Sequence, residues 1–112
     1  MAKRKIAVSL TALPQNPSLE EYPVKVPAKF MLAGIQWRVV DVPHLPDLGN
    51  CERDEATINL RAGLSPQVRA STFFHELQHA LLYTTGLQDH SEKEVDLMGA
   101  LYHQFELTKA YE

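Results

Sequence analysis

Residues 65–86 read SPQVRASTFFHELQHALLYTTG. A serine followed by proline is a strong helix opening. The Ser65 hydroxyl can accept from an orphan backbone N–H one turn on, and Pro66 sacrifices no bond at the first helical position. Gly86 is a suitable stop. The spacing predicts one helix from Pro66 to about Thr85. On a wheel of 3.6 residues per turn, Ala70, Phe74, Leu77 and Leu81 share one side, with Phe73 and Ala80 beside them. This is a core stripe. His75 and His79 fall together on the opposite side, one turn apart, facing whatever covers that flank.

Upstream, KFMLAGIQWRVVDV (29–42) is rich in aromatic and β-branched residues, with Ala33-Gly34 at its middle. It reads as two strands around a hairpin turn. VPHLPDLGN (42–50) carries Pro43, Pro46 and Gly49 and reads as a loop. EATINLRA (55–62) alternates apolar Ala56, Ile58, Leu60 and Ala62 with polar neighbours, which predicts a third strand, short and placed at a sheet edge. A second helix is expected from near Asp89–Ser91 to about Thr108. Residues 1–29, punctuated by Pro14, Pro17, Pro23 and Pro27, read as an extended arm. The expected class is therefore α+β. A small antiparallel sheet of about three strands packs on the HELQH helix and a C-terminal helix, in one domain over 30–112.

Composition narrows the function classes. The 112 residues are 45% hydrophobic and 22% charged, with a formal net charge of −3. That balance suits one globular domain and argues against nucleic acid, which requires a concentrated basic surface. Lys3-Arg4-Lys5 is the only basic run and reads as a solvated tail. The single cysteine, Cys51, forms no intramolecular disulfide and reads as a structural thiol. The apolar run after the basic start is broken by Ser9 and Thr11 and meets no A-x-A-like cleavage site. No apolar stretch approaches the ~20 residues that span a bilayer. The expectation is a cytoplasmic protein without a membrane anchor.

Within the long helix, residues 75–79 read HELQH. Imidazoles at i and i+4 can both reach one tetrahedral zinc, through nitrogens about 2.0–2.1 Å from the metal. Glu76, rotated about a quarter-turn, stands beside the metal rather than on it. There its carboxylate can take a proton from a water that the metal has acidified. A catalytic zinc needs a third protein ligand. The acidic candidates are Glu92, Glu94 and Asp96, in SEKEVD (91–96). Glu92 and Asp96 lie four apart on one helix face, and Glu94 lies on the other. Ser91 as N-cap would give Glu94 a capping role, and Asp89 as N-cap would give that role to Glu92. Spacing leaves both open.

HELQH followed by Glu92, Asp96 and the small and apolar run Leu97-Met98-Gly99-Ala100-Leu101 resembles the gluzincin metallopeptidases, with their HExxH and, on a following helix, ExxxD. The short length is similar to the minimal members, the ImmA/IrrE-like peptidases of phages and mobile elements. The resemblance implies zinc ligands His75, His79 and Glu92, with Glu76 as general base. It implies that Asp96 orients a ligand histidine through its other ring nitrogen. The activity implied is hydrolysis of a peptide or protein substrate, laid along the expected edge strand 55–62. The rival expectation is a zinc-stabilised binding or regulatory module without turnover.

The remaining polar aromatics have plainer readings. His44 and His90 are loop residues, the latter a possible extra ligand beside Glu92. His103 reads as solvent-facing. Tyr83, Tyr102 and Tyr111 are candidate oxyanion donors, each also a packing residue. Trp37 reads as a core anchor.

Overall fold

A computed structural model describes residues 17–86 and 91–111. Lys3-Arg4-Lys5, Pro14, Asp89 and His90 lie outside the described residues. The strands are β1 (Lys29–Leu32), β2 (Ile35–Val42), β3 (Gly49–Glu52) and β4 (Thr57–Arg61), and the helices are α1 (Pro66–Thr84) and α2 (Glu92–Thr108). The α+β class holds. β1 and β2 form the expected hairpin, from Lys29↔Arg38 to Leu32↔Ile35. Both turn residues sit at positive φ, Ala33 at 49° and Gly34 at 83°, as tight two-residue hairpins favour.

The sheet itself differs from the expectation. It has four strands in the order β1-β2-β4-β3 and is mixed, with β2 parallel to β4. The segment read as the third, edge strand is β4, an interior strand bonded to β2 on one side and β3 on the other. The extra strand, β3, comes from the end of the stretch read as a loop. After β2 the chain travels to the far edge, runs back as β3, and β4 fills the slot between. An interior place suits β4, because Ile58 and Leu60 are completely buried, each contributing about 1.5–3 kcal/mol. On the outer face, Asn59 Nδ2 donates to Asn50 Oδ1 across β4 and β3 at 2.9 Å.

α1 forms where the caps placed it. The Ser65 hydroxyl accepts from the Val68 N–H, and Gly86 turns the chain at φ 87°. Ala70, Phe73, Phe74 and Ala80 pack in one core with Trp37, Ile58 and Leu60. Tyr22 and Val24 are buried in that same core, so the packed unit reaches back into the segment read as arm. No helix among the described residues is long and apolar enough to cross a membrane.

His103 is a second correction, since it is buried rather than solvent-facing. Its ring stacks on Phe74 at 5.6 Å between centroids, and its Nε2 lies 2.8 Å from Tyr22 Oη. Burial lowers the His103 pKa and raises that of Tyr22. The phenol therefore keeps its proton beside a neutral imidazole, and the imidazole tautomer sets the direction of the bond between them. The linkage has a definite sign. With the folded pKa below the ordinary value of about 6.5, His103 supports folding above that pH. The support fades as pH falls through about 6.5 towards the folded value, because the unfolded chain then takes up the proton more readily. Denaturant midpoints of wild type and His103→Gln should converge, or cross, between pH 8 and pH 5, with wild type losing the more. Other titrating groups are common to both proteins and cancel.

Candidate metal centre

Two helices meet on the flank of α1 that bears the histidines. Ser91 caps α2, its hydroxyl accepting from the Glu94 N–H at 3.4 Å. Of the two capping readings, this is the one that leaves Glu92 free of the cap. Glu94 is exposed. Glu92, Asp96, Gly99 and His103, spaced i, i+4, i+7 and i+11, form the α2 face turned to α1.

That face brings carboxylates to the histidines. Glu92 Oε1 lies 3.3 Å from His75 Nε2, and Glu92 Oε2 lies 3.1 Å from His79 Nε2. Asp96 Oδ1 lies 2.7 Å from His75 Nδ1. The short Asp96 contact places a proton on Nδ1 of His75, so in the neutral ring Nε2 is a bare lone pair. A bare nitrogen facing a carboxylate oxygen at 3.3 Å is repulsive unless a proton or a cation lies between them. Donor atoms of His75, His79 and Glu92 all fall within 4.8 Å of one another. Ligands about 2.0–2.1 Å from a tetrahedral zinc sit about 3.3–3.4 Å apart. The two histidine–carboxylate spacings, each to a different Glu92 oxygen, are of that order, and two imidazoles with one carboxylate are a donor set that fits the group.

Glu76 is buried beside this cluster. It lines a cleft of about 340 Å³ with Gly49, Thr72, His75 and Asp96. Burial pushes its carboxyl up to about 7, opposed by His75 and assisted by Glu92 and Asp47. A carboxyl poised near neutrality is suited to exchange protons at physiological pH. Cys51, on β3, is also affected by Glu76. Burial, then Glu76 and Glu52, push its thiol up to about 12. It stays a protonated, packing thiol.

Two glycines set these distances, and neither was legible as a site residue in sequence. A Cβ on Gly99 would lie 2.9 Å from His75 Cα and 3.1 Å from its N. The helix backbones therefore touch at His75 itself, two turns along α2 from Glu92. A Cβ on Gly49 would lie 2.7 Å from Thr72 Cγ2, so β3 presses against α1 just before His75. Gly99→Ala gains about 1 kcal/mol of helix propensity but overpacks against rigid backbone. We expect a net destabilisation of about 1–2 kcal/mol, visible as a lower Tm. We also expect weaker metal binding, because parting the helices moves Glu92 away from both imidazoles.

The other sequence candidates separate clearly. Tyr83 stacks on His79, 6.3 Å between centroids, and the Arg53 guanidinium carbon lies over the Tyr83 ring, 5.7 Å from its centroid. Tyr102 stacks on Phe74, and Tyr111 is 81% exposed. Of the three tyrosines, Tyr83 is the one with a ring contact to a candidate ligand. His44 is an exposed loop residue at φ 62°. Trp37 is buried, stacked on Phe30. The chain matches no family model, no curated protein and no solved structure.

Proposed function

We propose that this chain is a zinc-dependent metallopeptidase of the minimal gluzincin kind, with ligands His75, His79 and Glu92 and general base Glu76. The observation that carries the reading is the convergence of two imidazole nitrogens on one carboxylate, with Asp96 on the far nitrogen of His75. Two nitrogens and one oxygen suit zinc and leave room for a further ligand. When bound, zinc would polarise a carbonyl and make a water more acidic. Asp96 holds the His75 ring in the tautomer that presents Nε2. Glu76 takes the proton from the attacking water and delivers it to the leaving amine. The substrate is a peptide or protein segment in extended form. β3, at the sheet edge with no further strand beyond it among the described residues, runs beside the cleft. It offers the backbone groups that such a segment would pair with. This role passes to β3 because β4 is interior. The compartment that suits this reading is the cytoplasm.

One observation favours the rival, a zinc-stabilised binding module. The Glu92 and Asp96 side chains are 70% and 72% exposed, so the centre is shallow. The test begins with metal. Protein purified from zinc-replete medium should carry one zinc per chain, and a chelator should remove both the metal and cleavage of an unstructured protein substrate. Zinc should restore both. Absence of stoichiometric zinc ends the proposal.

A further inference from the structure

Away from its seam with α1, α2 presents a largely apolar surface, with Lys109 Nζ 5.9 Å from the Phe105 ring centroid at one end and Tyr102, stacked on Phe74, at its border with α1. Leu97, Met98, Leu101, Tyr102 and Phe105 are 59%, 54%, 52%, 43% and 58% exposed. Met98, Leu101 and Phe105 recur at i, i+3 and i+7, the spacing of a helix-pairing seam. Leu97 and Tyr102 flank it. Side chains of this size present about 150–250 Å² when bare, so half-exposed they leave roughly 500 Å². That is the upper range for a monomer's largest apolar patch, about 300–600 Å².

We propose that this face is a self-complementary interface, on which α2 pairs antiparallel with α2 of a second copy of the chain. The register is written along the helix. With a two-fold axis passing between Leu101 and Tyr102, Leu101 of each copy meets Tyr102 of the other, and Met98 meets Phe105. The same operation sets Glu94, in the acidic first turn of one copy, near Lys109 of the other, which within its own chain is paired with Glu106 at 2.9 Å. The apolar side chains are thus matched to one another by one symmetry operation, as an isologous dimer requires. Two such patches together remove roughly 1,000 Å² from water, the threshold of a specific interface. The expected dimer is weak, with a dissociation constant in the micromolar range. The metal cluster lies on the opposite face of α2, so dimerisation leaves it accessible and does not depend on the proposed activity.

Sedimentation of the full chain across a concentration series tests this. Wild type should approach twice 12.6 kDa. Leu101→Glu should remain folded by circular dichroism and weaken association about 100-fold, as central contacts do. A second pair of variants reads the symmetry. Leu101→Cys should form a disulfide-linked dimer under mild oxidation. Lys93→Cys should not, because its two copies would stand about 25 Å apart along the helices. Cys51 is common to both and sets the background. A wild-type monomer at about 100 µM overturns the proposal, including the case in which residues 1–16 of the same chain cover the face. An undiminished Leu101→Glu dimer, or equal cross-linking of the two cysteine variants, overturns it as well.

Discussion

Replacing Glu76 with glutamine is expected to leave zinc binding intact and to lower peptide hydrolysis by about 10²–10⁴-fold, the usual contribution of a positioned general base. Glutamine keeps the shape of the buried side chain but cannot take a proton. The proposed ligands His75, His79 and Glu92 are separate groups, so the metal is expected to stay. In wild type, burial holds the Glu76 carboxyl near 7 against the opposing pull of His75, which is the environment a proton-exchanging carboxyl needs and a structural one does not. The measurement pairs metal content with initial rates on the same preparation. A binding module gives the other result: glutamine changes neither metal nor partner affinity, and wild type shows no turnover to lose.

Glu92→Ala and Glu94→Ala should part just as sharply. Zinc at a four-ligand site is held by about 10–16 kcal/mol, or about 3 kcal/mol for each ligand. Loss of Glu92 should therefore weaken zinc binding by roughly 10²-fold or more. It also removes the carboxylate that lies opposite both Nε2 atoms. Glu94→Ala should leave zinc affinity unchanged and cost only a few tenths of a kcal/mol, because Glu94 occupies the third position of a capped first turn. Isothermal titration of the metal-free proteins measures both. Equal losses in the two variants would remove Glu92 from the site.

The comparison of these two glutamates also marks where local reading stops. Their spacing from Ser91 admits two capping registers, and each register frees a different carboxylate. The contact of α2 with α1 chose between them. The choice depends on Gly99, whose missing Cβ lets the helix backbones approach to the distance at which Glu92 can touch both histidines. His103 was misread for a related reason. A histidine on the less apolar side of a lone amphipathic helix looks solvated, and Tyr22, 81 residues earlier, is what buries it.

What the chain determines by itself is local and strong. Ser65-Pro66 and Gly86 bound α1. The 3.6-residue period separates the Phe74 face from the His75–His79 face, and Ala33-Gly34 makes the hairpin. Each depends on interactions within a turn or two of the backbone, where nothing distant competes. The order of strands and the assembly of the His75–His79–Glu92 cluster were decided only by tertiary structure. The alternating pattern of 55–62 says that one side is buried, but not whether one or both backbone edges are bonded. Those edges carry hydrogen bonds to β2 and β3, and backbone groups are alike in every residue but proline. Strand position is therefore set by which arrangement buries Ile58 and Leu60 against α1, a property of the whole packed chain.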